Sequence, residues 1–278
     1  MKIGFYFKSD SQIARDLFVR IAGILRSRGH EIYVEKSLVS GLDLRDLKVF
    51  DARESDLDLI IVIGGDGTVI KILHELGEKS TPIMTVRMGR RGILLDVAPI
   101  EIESRIEDLL NGRYTVRNYE RIYAKTPSRV SSPAINEILI TPSSEYLRSR
   151  VLRFSVYRDD VLIYSLEGDG IIISTPIGST AYSLSAGGPI VDHSLPVMIL
   201  TPLLSINLWA RPVILPISSI VRVFIRRDSV PAEVIVDGIE RISVSPGEWV
   251  EVTRYPHPAR IIRFHRDEEI YERIFERR

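Results

Sequence analysis
The chain is predicted to combine an α/β segment with a β-rich one, and three observations carry the prediction. Residues 59–63, Leu-Ile-Ile-Val-Ile, are apolar without alternation, the pattern of a strand buried on both faces of a parallel sheet. Strand and helix patterns alternate on either side of that run, as they do in a parallel sheet covered by helices on both faces. From about residue 113 to 255 the texture changes to strand after strand, with turn signals at Pro127-Ser128, Asp159-Asp160 and Asp237-Gly238. The expected architecture is an N-terminal α/β domain, 1–98, with a parallel Rossmann-like sheet. A β-rich, sandwich-like domain, 99–257, follows, and the tail 258–278 docks back on the first domain.

Taken in order, residues 2–8 alternate into a short strand, and Ser9-Asp10-Ser11 supplies a helix cap. Ile13, Leu17, Ile21, Ile24 and Leu25 then mark one helical face that ends at Gly29. Residues 31–34 make a second strand, and the charged stretch 36–55 carries no clear pattern. After the central strand, 68–76 reads as helix with Gly77 behind it, and 82–86 as another buried strand. Pro99 opens a helix with Ile102, Ile106, Leu109 and Leu110 apolar, and Gly112 closes it. The tail is expected to hold a strand and a charged helix with Ile270, Ile274 and Phe275 on one side.

Composition narrows the function. The 278 residues suffice for two modest domains, and 45% hydrophobic with 27% charged residues is ordinary for a folded protein. Lys plus Arg and Asp plus Glu are equal at 37 each, so no bulk charge points to nucleic acid or an anionic membrane. With no cysteine there is no disulfide, thiolate metal site or cysteine nucleophile. No apolar run reaches membrane-spanning length and the start does not read as a signal peptide, so a cytoplasmic location is expected. The five histidines lack the spacing of metal ligands.

The chemistry is concentrated in two stretches. Gly64-Gly65-Asp66-Gly67-Thr68 lies between the central strand and the next helix, a geometry that aims free backbone N–H groups at an anion. Glycine lets a phosphate approach the backbone closely. Asp66 would oppose a phosphate unless it had chemical work to do; a helix-capping Asp is the alternative reading. The second stretch follows Gly168-Asp169-Gly170 and the strand 171–173. It runs Ser174-Thr175-Pro176-Ile177-Gly178-Ser179-Thr180-Ala181-Tyr182-Ser183-Leu184-Ser185-Ala186-Gly187-Gly188-Pro189. Its small hydroxyl residues and glycines would let a flat ligand lie against backbone, with Tyr182 available for stacking.

The first stretch resembles a phosphotransferase superfamily that includes NAD kinases, lipid kinases and phosphofructokinases. It is not a Walker A loop, because the Gly-Lys-Ser/Thr ending is missing. The second stretch is similar to the NAD kinase signature, and Asn136-Glu137 resembles that family's Asn-Glu pair. The resemblance implies transfer of the terminal phosphate of ATP, or of polyphosphate, to the 2′-hydroxyl of the adenosine ribose of NAD. It implies that Gly64, Gly65, Gly67 and Thr68 hold donor phosphates and that Asp66 is the catalytic group, touching NAD together with Gly67. It implies further that Asn136 and Glu137 hold the adenosine, and that Ile177, Thr180, Ala181, Tyr182, Ser183, Leu184 and Ser185 line the dinucleotide pocket. Asp169 would meet the other half of the dinucleotide, often across a subunit contact in a homodimer or homotetramer. Lys71 and Arg150 stand where the family often has a basic or polar contact; a solvated surface charge is the alternative for each. Mg²⁺, or another divalent cation, would come with ATP, bound through its phosphates rather than a protein cage.

Four positions, in three places, depart from the family pattern. Arg87 and Arg91 replace an amide and an apolar residue in the second glycine turn, 87–93, Ile177 replaces a Thr, and Ile239 follows Asp237-Gly238 where Gln is common. A lipid kinase and a non-catalytic dinucleotide sensor are the competing readings. The polarity of 175–188 speaks against the first, and the presence of Asp66 against the second.

Overall fold
The computed structural model describes residues 1–39, 47–89, 92–147 and 149–264. They form two compact units, Met1–Asn118 with the chain from Ala259 onward, and Tyr119–Pro258. The first unit thus runs through the helix after Pro99 and close to residue 113, where the texture of the sequence changes, while the expected domain ended at 98.

The first unit opens with β1 (Lys2–Phe7) and α1 (Gln12–Ser27). Ser11 caps the helix, its hydroxyl accepting the N–H of Ala14 at 3.3 Å. Next come β2 (Glu31–Glu35), β3 (Lys48–Phe50), β4 (Leu59–Gly64), α2 (Asp66–Leu76), β5 (Ile83–Arg87), α3 (Ile102–Leu110) and β6 (Thr115–Tyr119). Strands β1 to β5 pair in parallel in the order β3-β2-β1-β4-β5. The order reverses between β1 and β4, so the carboxyl end of β4 opens at the switch point where sheets of this kind take their ligands. Every residue of β4 is buried, as its unbroken apolar run requires. Helices α1 and α3 share one core with Ile3, Phe5, Phe7, Ile61, Ile63, Met84 and Val86. That is the physical reason α3 belongs to the first unit: Ile102, Ile106 and Leu109 complete the cover of this sheet face. Helix α2 packs on β4 and β1 with residues outside that core.

The second unit is built from β7 (Ile122–Lys125), β8 (Glu137–Pro142), β9 (Leu152–Arg158), β10 (Val161–Gly168), β11 (Gly170–Ser174), α4 (Tyr182–Ser185) and β12 (Val197–Leu203). It is completed by β13 (Val213–Pro216), β14 (Val221–Ile225), β15 (Ala232–Val236), β16 (Glu240–Val244) and β17 (Trp249–Arg254). Among the described residues these make two antiparallel sheets, β10-β9-β14-β17-β7 and β13-β12-β11-β8-β15-β16. Residues of both, such as Phe154, Val156 and Val223 from one and Ile138, Ile171 and Val234 from the other, fill a single core, so the unit is a sandwich. Two of the predicted turns are hairpins with paired positive φ: Asp159 and Asp160 have 46° and 69°, and Asp237 and Gly238 have 47° and 70°. The chain then returns as β18 (Ala259–Arg263), parallel to β5 and flanked by β6 at the sheet edge. The expected helix with Ile270, Ile274 and Phe275 lies outside the described residues.

Candidate functional site
In the first unit the site is the turn from β4 into α2. Gly65 is the N-cap and Asp66 the first helical residue. The glycines have different causes. A Cβ on Gly64 would lie 2.4 Å from the Thr68 hydroxyl oxygen, so packing forbids it, whereas one on Gly65 or Gly67 would meet no atom within 4 Å. Neither of the latter two has the positive φ that requires glycine. Gly67, inside the helix, costs up to about 1 kcal/mol relative to alanine, and no close contact or positive φ there requires it. Open backbone beside the first helical N–H groups is what an approaching phosphate uses.

Asp66 is half-buried. Its Oδ2 accepts the N–H of Ile93 at 3.1 Å and its Oδ1 the N–H of Leu94 at 3.2 Å. The second glycine turn therefore holds the carboxylate by its backbone. Gly92 makes this approach possible: its φ is 154°, and a Cβ there would stand 2.8 Å from Asp66 Oδ1 and 2.5 Å from Leu95. Lys71 is exposed and forms no ion pair among the described residues. Arg87 is half-buried at the end of β5, its N–H bonded to Val97 O at 2.9 Å, while Arg90 and Arg91 lie outside the described residues.

In the second unit, Asn136 and Glu137 enter β8. The carboxylate of Asp237 gathers three successive N–H groups there, Ile135 at 2.8 Å, Asn136 at 2.9 Å and Glu137 at 3.0 Å. The Asp237-Gly238 hairpin is thus a bracket for the Asn-Glu pair. Its signal in the sequence was legible only as a turn. Burial pushes the Glu137 carboxyl up to about 8, and the Asp237 carboxylate adds to the rise. Among the described residues, Glu137 Oε2 is buried without a hydrogen-bond partner, and so is the hydroxyl of Ser174, its register partner on β11. The same Asp237 field acts on the fully buried Arg121, whose guanidinium is lowered by burial to about 10 and stacks 5.0 Å over Tyr255.

The stretch after β11 folds tightly onto this pair. Thr175 N–H donates to Asn136 O at 2.9 Å and the Thr175 hydroxyl to Ile135 O at 2.5 Å. A Cβ on Gly178 would stand 2.0 Å from Asn136 O, so only glycine fits. Most of the hydroxyls have work inside the fold. Ser179 bonds Pro176 O at 2.6 Å, Thr180 bonds Ile177 O at 3.0 Å, and Ser183, fully buried, shares a hydrogen bond with Thr201 at 2.8 Å. Ile177 is buried and Ala181 half-buried, while Tyr182, Leu184 and Ser185 are exposed and open to a ligand. Asp169 stands between two glycines that backbone contacts demand: a Cβ on Gly168 would lie 2.8 Å from Leu203 O, and one on Gly170 would lie 2.0 Å from Ile140 O. Its side chain lines a cleft of about 610 Å³ together with Ser149, Arg150, Arg153 and Asp228, so Asp169 and Arg150 share one cavity.

A glycine turn opening a helix with a pinned carboxylate, and a sandwich carrying a bracketed Asn-Glu pair, are compatible with the phosphotransferase class. The matches to known proteins fall in that class. Residues 3–114 match the ATP-NAD kinase N-terminal domain and residues 135–264 the ATP-NAD kinase C-terminal domain. The NAD kinase of Aeropyrum pernix is 34% identical, over 99% of this chain and 97% of the relative. That of Methanothermobacter thermautotrophicus is 32% identical, over 100% and 96%. The chain belongs to the NAD kinase family and is an enzyme of it. The fold is shared with the yeast NADH kinase solved in complex with NADH, at TM-score 0.90 and 22% identity over 100% of this chain and 87% of that one. It is shared also with an Archaeoglobus fulgidus NAD kinase in complex with ATP, at TM-score 0.78 and 22% identity over 99% and 98%.

Proposed function
We propose that the chain transfers the terminal phosphoryl group of ATP to the 2′-hydroxyl of the adenosine ribose of NAD, giving NADP and ADP. The observation that carries this is the carboxylate of Asp66, held by the N–H groups of Ile93 and Leu94 in a turn whose Gly65 and Gly67 face open space. The donor phosphates lie against Gly64, Gly65, Gly67 and Thr68, with Lys71 in reach of their charge. The backbone bonds from Ile93 and Leu94 fix the direction of the carboxylate, so it can orient the 2′-hydroxyl and take its proton as the oxygen attacks phosphorus. Phosphoryl transfer asks little covalent chemistry of a protein and much positioning.

Asn136 and Glu137 hold the adenosine ribose. A carboxyl kept protonated to about 8 can both donate to and accept from a ribose hydroxyl, which answers the orphaned Oε2. Tyr182, Leu184 and Ser185 lie along the dinucleotide, and Asp169 and Arg150 in their shared cleft take its far half, in a homodimer or homotetramer. A divalent cation such as Mg²⁺ offsets the charge of the transferring group. The residues present suit one carried on the phosphates, since no three acidic or histidine side chains cluster among the described residues and both Asp66 oxygens already accept N–H bonds.

The test is a coupled assay of NAD, ATP and Mg²⁺ read as NADP, with polyphosphate as an alternative donor arm. Asp66→Asn is expected to keep NAD affinity and lower turnover by about 10²–10⁴-fold. A folded variant with near-normal turnover would overturn the base role. A wild-type chain that binds NAD yet makes no NADP with either donor would make it a sensor.

A further inference from the structure
The polar pair Arg263 and Asp96 is buried, 6% and 3% exposed, and has no part in the roles assigned above. Ions are kept that far from water only where several hydrogen bonds hold them. Arg263 ends β18, and its Nη2 donates to Ile93 O at 2.9 Å and its Nη1 to Leu94 O at 3.4 Å. Nη1 also lies 3.6 Å from Asp96 Oδ1, and Asp96 Oδ2 accepts the Phe264 N–H at 2.7 Å. The buried Thr85 hydroxyl closes the arrangement, donating to Leu94 O at 3.0 Å and accepting the Asp96 N–H at 2.9 Å.

The carbonyl of Ile93 and the N–H of Leu94 are two ends of one peptide group. A cation grips the oxygen end, and the nitrogen end donates to Asp66 Oδ1. Because the peptide is planar and rigid, fixing its oxygen fixes the direction of its N–H. The guanidinium also polarises the peptide, making the N–H a stronger donor toward the carboxylate.

We propose that Arg263, braced by Asp96 and Thr85, is a positioning residue for Asp66, acting through the Ile93–Leu94 peptide. The inference rests on the reading of Asp66 as the group that receives the proton. Turnover then depends on a side chain near the far end of the chain that touches neither substrate.

The experiment is a double-mutant cycle. Arg263→Gln, Arg263→Lys and Thr85→Val are made in the native protein and beside Asp66→Asn. Circular dichroism and NAD titration establish that each is folded and binds. In the native background Arg263→Gln should lower kcat about tenfold to a hundredfold, the range that a misplacement on the order of 1 Å produces, with KM for NAD and ATP held within about threefold. Arg263→Lys should recover part of the loss. Thr85→Val should move kcat the same way by less, and it stands in if Arg263→Gln does not fold. Beside Asp66→Asn the same changes should leave the residual rate within about twofold, because the route runs through the carboxylate. Unchanged kcat in the folded Arg263 or Thr85 variants, or an equal loss in both backgrounds, overturns the inference. Near-normal turnover of Asp66→Asn alone instead overturns the reading on which it rests.

Discussion

Replacing Glu137 by Gln removes a group whose protonation the fold distorts, and the consequence can be worked out. Burial, with help from Asp237, raises this carboxyl from 4.5 to about 8. Below pH 4.5 the group is protonated folded and unfolded, and burying it carries no charge penalty. Between 4.5 and about 8 the unfolded chain has lost the proton while the folded chain keeps it, so folding takes up a proton and stability falls as pH rises. Above about 8 both forms are ionised and the whole penalty stands. At 1.36 kcal/mol per pH unit the window corresponds to at most about 5 kcal/mol. Glutamine is neutral throughout, so the variant should be slightly different in stability near pH 4.5 and clearly more stable than the native protein at pH 9. Urea unfolding followed by tryptophan fluorescence reads this directly, since Trp209 and Trp249 both belong to the second unit. Parallel stability curves for the two proteins between pH 5 and 9 would refute the account of Glu137 as a buried, proton-retaining carboxyl.

The glycines supply two further predictions. Gly65→Ala and Gly67→Ala meet open space, so the fold should be kept, with Gly67→Ala gaining up to about 1 kcal/mol, while KM for ATP rises tenfold or more; unaltered donor kinetics would remove the phosphate from this turn. Gly178→Ala places a Cβ 2.0 Å from the Asn136 carbonyl, a backbone atom that cannot move aside, so a loss of about 2 kcal/mol or more, or of NAD binding, is expected. Gly187→Ala, with φ of 85° and no contact within 4 Å, is its control and should cost only about 1–2 kcal/mol of backbone strain, measured by thermal unfolding.

Much of this was legible in the chain itself because it depends on neighbours in sequence. The unbroken apolar run of β4 reads as a strand covered on both faces, which it is, and the glycines behind it mark the turn into α2. The Asp237-Gly238 dipeptide identified a hairpin, since paired positive φ is a local property. The small hydroxyl residues of 174–185 marked a candidate site, but which of them are used inside the fold was not written there. Thr180 and Ser183 carry the same hydroxyl chemistry as Ser185, yet the first two bond inside the fold and the third is exposed.

What the sequence determined by itself was the two-part architecture, the family and the glycine turn that carries Asp66. What only the tertiary structure decided was how those groups are aimed. Asp66 meets the N–H groups of residues 27 and 28 positions later, Arg263 grips that loop 169 and 170 positions beyond it, and Asp237 collects the N–H groups of Ile135, Asn136 and Glu137 from 100 to 102 positions away. Periodicity and turn chemistry report what a residue does to its own stretch of backbone. A buried hydrogen bond between strands far apart in sequence leaves no such pattern, because its geometry exists only once the sheet that brings its two ends together has formed.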